Sequence, residues 1–204
     1  GLLVPYLTAY FALTAAGFKA DQVVLAPAVG GAVGNATVQL ARAMGAGRVL
    51  STASTTAKTE QARAAGYENV IDLSRETLTT GVKRLTGGAG ANVAIDSVGG
   101  PVTSQVLASL ARGGALIVLG YPAVTRTTIE VTDLIWKRAH MQGFSLFAYT
   151  PEQLAAAYDT TLRPLLSEGR IRPAVARTFP LEAASEAQRY LNESRPFGRV
   201  VLTL

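Results

Sequence analysis

Hydrophobic positions along the chain follow two alternating rhythms. Short apolar runs fall within Val23–Ala26, Arg48–Ala53 and residues 69–71, 91–95 and 115–119. Unbroken runs of this length fit strands of a parallel sheet, buried on both faces. The intervals between them carry helical spacing. Residues 1–21, with Leu7, Tyr10, Phe11 and Leu13 at that spacing, precede the first run as a helical stretch, and Val33, Ala36, Thr37, Leu40, Ala41 and Met44 follow it. Residues 56–65, 75–85 and 102–110 fill the later intervals in the same way. Gly17, Gly45 and Gly66 stand where helices end. Residues 87–90 open no helix and read as a loop. Strand and helix thus alternate at least four times, which implies right-handed crossovers and a sheet covered on both sides. The expected fold is a doubly wound parallel α/β domain over residues 1–149.

A sixth apolar run, residues 141–147, is expected at the sheet edge, where it could pair across a homodimer. The pattern changes after Tyr149. Thr150, Pro151 and Gln153 form a capping-box helix start. Leu154, Tyr158, Leu162 and Leu165 give that helix its apolar stripe, with a bend expected at Pro164. Strand-like residues 175–179, a helix at 181–191 and a strand at 200–204 complete a C-terminal α+β segment, residues 150–204. A segment this small is marginal alone, so it is expected to pack on the main domain or on a partner.

The chemistry concentrates in residues 22–54. A short apolar strand runs into Ala28-Val29-Gly30-Gly31-Ala32-Val33-Gly34, then a helix, then a second strand. Dinucleotide-binding Rossmann turns need a tight reversal, close backbone approach to a pyrophosphate and close helix–strand packing, usually as G-x-G-x-x-G. Gly31 and Gly34 take the second and third positions and Val29 the first. Helix N-terminal amides then hold phosphate without a cation. A generic strand-to-helix turn would share part of this pattern, but not the flanking strand–helix–strand order. At the tip of the second strand, sites for NAD place an acid on the ribose. Here Ser54, Thr55, Thr56 and Lys58 stand instead. Hydroxyls and a Lys suit a ribose 2′-phosphate, and equally a helix cap beside a solvated Lys.

Composition narrows the alternatives. Of 204 residues, 49% are hydrophobic and 16% charged, which fits one well-packed core. The net charge of +5 is scattered, without basic blocks or interleaved aromatics, so neither nucleic acid nor membrane is an expected partner. No apolar stretch approaches the ~20 residues of a membrane span. The chain has no Cys, which removes disulfides, thiolate zinc ligation and Cys nucleophiles from it. It opens on Gly1 without a signal-peptide pattern, as a cytoplasmic protein or a piece of one would. The single histidine, His140, opens an apolar run and reads as structural. Asp96 ends the fourth strand and reads as a loop-ordering carboxylate.

Several short stretches belong together. They are Tyr6-Leu7-Thr8-Ala9-Tyr10, the A-x-x-G-x-x-G run from Ala28 to Gly34, Val38-Gln39-Leu40-Ala41-Arg42, and Ala53-Ser54 with Lys58. Further along stand Val70-Ile71-Asp72, Leu85-Thr86-Gly87-Gly88, Asp96-Ser97-Val98-Gly99-Gly100, Gly113-Gly114-Ala115-Leu116 and Gly198-Arg199-Val200-Val201-Leu202. On these the chain resembles the medium-chain dehydrogenase/reductase superfamily, in its zinc-free, zeta-crystallin-like quinone oxidoreductase branch. The resemblance covers almost the whole chain.

It implies that Thr8 lies near the nicotinamide and that Gly31, Ala32 and Val33 pack under the pyrophosphate. It places Ser54, Lys58 and Arg195 at the 2′-phosphate, and Val98, Gly120 and Tyr121 beside the nicotinamide. Pro27, Val29 and Leu73 depart from the family's usual residues, and Val4 stands where zinc-dependent relatives carry a Cys. The family's N-terminal domain, a twisted β-barrel forming one wall of the cleft, would precede Gly1. Residues 150–204 would complete that missing domain. The implied activity is zinc-free, NADPH-dependent reduction of a quinone or an α,β-unsaturated carbonyl, with no catalytic acid assigned in this chain. A nucleotide-binding module without turnover and a zinc-free NADH-dependent alcohol dehydrogenase are the alternatives.

Overall fold

The computed structural model describes residues 3–204. The expected helical start at Gly1 and Leu2 lies outside them. The main body contains α1 (Leu3–Ala15), β1 (Val23–Ala26), α2 (Ala32–Ala43), β2 (Arg48–Ala53), α3 (Thr56–Ala64) and β3 (Val70–Asp72). It continues through α4 (Leu78–Thr86), β4 (Ala91–Asp96), α5 (Pro101–Ala108), β5 (Leu110–Val118), α6 (Val131–Lys137) and β6 (His140–Gly143). The strands form a six-stranded sheet in the order β3-β2-β1-β4-β5-β6, with every pairing parallel. This is a Rossmann-like α/β sheet. The unbroken apolar runs are central strands, and Val24, Leu25, Ala26, Leu50, Val93 and Leu116 are all buried. Side chains of α1 and α2 share one core cluster with one face of the sheet; those of α4 and α5 share the other. Strand order reverses between β1 and β4, so the loops after these strands part and leave a crevice at their carboxyl ends.

The sequence reading differs from the structure at several places. The expected helix over 75–85 starts at Leu78, because Thr77 caps it by accepting the Thr80 N–H at 3.1 Å. The helix expected over 102–110 ends at Ala108, and β5 starts at Leu110 rather than Ala115, across an irregularity in its pairing with β4. The run 141–147 is not one strand. β6 stops at Gly143, where β5 runs out, and Phe144 donates its last ladder bond to the Val118 carbonyl. Phe144, Leu146 and Tyr149 then fold onto the core, with the Tyr149 and Phe11 rings 4.0 Å apart. Helix α6 has no clear periodicity; Lys137 holds it, pairing with Asp133 at 3.1 Å and donating to the Ala108 carbonyl. Just before Pro164, where a bend was expected, the helix widens. A π-helical turn, Tyr158–Leu162, joins α7 (Pro151–Ala157) to α8 (Arg163–Ser167). The wider turn accommodates a proline ring that would otherwise crowd the preceding turn of helix.

The capping box at Thr150 forms as expected, with Thr150 and Gln153 bonded reciprocally. The apolar stripe that follows lands on α1: Leu154, Tyr158, Leu162 and Leu165 join its core cluster. Beyond lie β7 (Val175–Pro180), α9 (Ala184–Ser194) and β8 (Arg199–Thr203), the two strands pairing in parallel as a separate two-stranded sheet. No helix among the described residues is long and apolar enough to cross a membrane. Because Leu162 is 0% exposed inside the main core, Leu162→Ala should lower stability by about 2–5 kcal/mol in urea unfolding. A loss below half a kilocalorie would show that residues 150–171 do not belong to that core.

Candidate functional site

The glycine turn is built by one close approach. A Cβ on Gly34 would lie 2.3 Å from the Ala28 carbonyl oxygen and 2.4 Å from that of Pro27. Only glycine lets α2 sit this near the end of β1, as the third glycine of a dinucleotide turn must. Ala28 turns the chain with φ +62°, a left-handed conformation that costs a non-glycine residue about 1–2 kcal/mol. Bonds to β2 hold it there: the Ala28 N–H donates to the Thr52 hydroxyl at 2.9 Å and the Val29 N–H to the Thr52 carbonyl at 3.0 Å. Gly31 then begins α2 in extended conformation with no side-chain cap. The first amides of α2 are therefore left for an external acceptor.

A buried polar network braces the turn from behind. Asn35 donates to the Val29 carbonyl at 3.1 Å and to the Tyr67 hydroxyl at 2.9 Å. Gln39 donates to Asn35 Oδ1 at 2.7 Å and binds both backbone groups of Arg172, at 2.8 and 2.6 Å. From in front comes a strap, residues 195–198, between α9 and β8. The Gly198 N–H donates to the Gly30 carbonyl at 3.0 Å, and the Phe197 ring lies 5.8 Å from that of Tyr67.

Between the turn, the tip of β2 and the strap lies a cleft of about 770 Å³. Gly31, Ala32, Ser54, Lys58, Val98 and Arg195 all line it. The other expected site residues do not. Thr8 is buried within α1, and Val33 and Gly34 lie in the first turn of α2 outside the cleft lining. Gly120 lies against the loop after β4, a Cβ there falling 2.3 Å from the Ser97 carbonyl, and Tyr121 is 71% exposed. His140 opens β6 opposite Ala115, at the sheet end away from the cleft. Leu73, one of the departures from the family's usual residues, lines the cleft, as do Phe197 and Arg199, which were not expected there. The last two arrive from a distant part of the chain, and no local pattern marks them.

Charges at the β2 tip are sorted by hydrogen bonding. Thr55 caps α3, accepting the Lys58 N–H at 3.3 Å, so the cap uses one hydroxyl and leaves Ser54 to the cleft. The Lys58 ammonium makes no ion pair among the described residues. Asp72, paired with Ala53 across the strands, is held by its own neighbours. It accepts from the Ser74 hydroxyl at 2.5 Å and the Thr56 hydroxyl at 2.6 Å, with Arg75 at 3.6 Å. The hydrogen bonds from Ser74 and Thr56, then Arg75, hold its carboxyl below the usual range. Asp96, fully buried, orders the opposite wall. It accepts the Val98 and Gly99 amides at 2.8 and 3.1 Å and the Thr103 hydroxyl at 2.6 Å, which turns Val98 into the cleft.

Comparison with known proteins gives concordant results. A family model described as zinc-binding dehydrogenase matches residues 32–162. Quinone oxidoreductase-like protein 2 of Bos taurus is 31% identical over 100% of this chain and 59% of its own length. A mycobacterial quinone oxidoreductase structure superposes with a TM-score of 0.84 at 30% identity, covering 100% of this chain and 63% of the other. An NAD-dependent alcohol dehydrogenase structure superposes with a TM-score of 0.81 at 28% identity, covering 98% and 57%. The chain thus spans about three fifths of the length of the proteins it matches. Since backbone oxygens crowd Gly34, Gly34→Ala should destabilise the fold by about 1–3 kcal/mol. Unchanged denaturant stability in that variant would contradict the packing described.

Proposed function

The chain belongs to the zinc-binding dehydrogenase family, and we propose that it is the cofactor-binding part of a nicotinamide-dependent oxidoreductase that prefers NADPH. One observation carries the reading. The cleft has an uncapped helix terminus at one side and two cations, Lys58 and Arg195, at its rim with Ser54. Such a site fits a ligand with a pyrophosphate and a further phosphate. The amide of Ala32 at the start of α2 would take the pyrophosphate, with Gly31 packed beneath it, its own amide donating to the Ala28 carbonyl. Ser54, Lys58 and Arg195 would take the ribose 2′-phosphate, which no carboxylate opposes because Asp72 is spent on Ser74 and Thr56. Val98 would face the nicotinamide, with Thr8, Gly120 and Tyr121 assigned to that side by the family resemblance. When bound, the dinucleotide supplies a hydride from nicotinamide C4. This chain's residues bind and orient it; no proton donor is assigned.

The proposed substrate is a quinone or an α,β-unsaturated carbonyl, in line with the names of the quinone oxidoreductase relatives. Zinc-free chemistry is proposed from the absence of Cys in the 204 residues. The similarity to an NAD-dependent alcohol dehydrogenase supports NADH-dependent alcohol oxidation as a second reading. The share of relatives that the chain spans supports a third, a binding module without turnover. Nicotinamide fluorescence titrations separate these readings. NADPH should bind more tightly than NADH, and Lys58→Ala should weaken NADPH roughly tenfold or more while sparing NADH, as for loss of a charged hydrogen bond worth about 1.5–3 kcal/mol. Equal loss for both cofactors would refute the role of Lys58. Binding without oxidation in the presence of a quinone would favour the module.

We also propose a homodimer through the β6 edge. β6 is exposed along its length, and Ile135 and the 73%-exposed Trp136 stand on the neighbouring α6. Light scattering should give twice the 21.3 kDa chain mass, and Met141→Lys should restore a single-chain mass. A wild-type chain that stays at its single mass at high micromolar concentration would count against pairing.

A further inference from the structure

Beneath the glycine turn lies a second, small and partly open space of about 10 Å³, lined by Tyr6, Gly31, Asn35, Pro173, Gly198 and Arg199 among others. That volume is about one water-sized probe. Two of its lining residues carry a buried polar atom. The Tyr6 hydroxyl, on a side chain 4% exposed, and Arg199 Nη1 are both buried, and neither has a hydrogen-bond partner among the described residues. Buried polar groups are nearly always bonded, and leaving a guanidinium N–H and a hydroxyl unpaired is costly.

The nearby protein groups are already engaged elsewhere. The Asn35 amide donates to Val29 and Tyr67, and its oxygen accepts from Gln39. The Gly31 carbonyl accepts the Asn35 amide, and the Ala174 carbonyl accepts the Arg199 amide. The Tyr6 phenol cannot offer a negative charge to Arg199. Burial, and then the neighbouring Tyr67, push its ionisation well above the usual tyrosine range. What the pair lacks is a small group that can accept a hydrogen bond.

We propose that this space is a built site for one ordered water molecule, which accepts a hydrogen bond from Arg199 Nη1 and exchanges one with the Tyr6 hydroxyl. Its place in the fold gives it a purpose. Tyr6 lies on α1 and Arg199 begins β8, directly after the Gly198 whose amide holds Gly30. The water therefore fastens the strap to the main body from below the turn. Gly31, Ala32, Gly198 and Arg199 line both this space and the large cleft, so the water stands behind a shared wall. The site stands whether or not the cleft takes a dinucleotide.

A crystal structure of this chain at water-resolving resolution, from crystals grown in bromide, tests the assignment. The expected result is a single peak within hydrogen-bond distance of Tyr6 Oη and Arg199 Nη1, with no anomalous signal. No peak overturns the proposal, and so does a bromide peak, which would make the site a halide site. Tyr6→Phe gives an independent sign test. With the water present, the variant loses a bond, and its Tm should fall by about 2–4 °C. Hydrogen exchange at the Gly198 amide should quicken roughly fivefold. If the hydroxyl is truly unpaired, removing it leaves Tm unchanged or raised, and the proposal fails.

Discussion

The absence of a Cβ at Gly34 is the constraint from which the rest of the site follows. With carbonyl oxygens of Pro27 and Ala28 less than 2.5 Å from where that atom would be, any side chain would push α2 off the end of β1. The turn would widen, Asn35 would lose its reach to Val29, and the amides of α2 would no longer open into the cleft. The left-handed conformation at Ala28 is the local cost of this approach. The Thr52 contacts from β2 offset it, so a strained non-glycine residue persists because its neighbours over-determine it.

The cleft is composite. One wall is Rossmann backbone, local in sequence; the other is a strap that arrives after residue 190. The Gly198 amide joins them at the Gly30 carbonyl, and behind the turn the Gln39 side-chain amide binds the backbone of Arg172 across 133 residues of sequence. The C-terminal part is therefore no appendage at this point in the molecule. Its helices fill the α1 core, its backbone pairs with a side chain of a core helix, and its strap closes the cleft.

What could be read in the sequence follows from range. The buried parallel strands were legible because apolar runs encode burial on both faces, and the turn because Gly31 and Gly34 answer to local backbone geometry. Lys58 and Ser54 were legible as the tip of a strand whose position was already known. The extent of β6 was not, because Gly143 ends the strand only where β5 stops offering partners. Helix α6 was hidden by its short length and by its dependence on Lys137, which bonds to another element. Phe197 and Arg199 lay beyond reach for the same reason: their neighbours are set by tertiary packing, not by spacing. The expected roles of Thr8, Gly120 and Tyr121 came from family resemblance, and none of these residues reaches the cleft.

The strap also sets an order of events in the life of the chain. Residues 23–118 can assemble the six-stranded core's first five strands as they leave the ribosome, with the turn after β1 in place. The wall formed by Arg195, Phe197 and Arg199 emerges much later. A nascent chain thus presents a folded sheet with an unfinished pocket. The cleft is whole only once synthesis has passed Arg199.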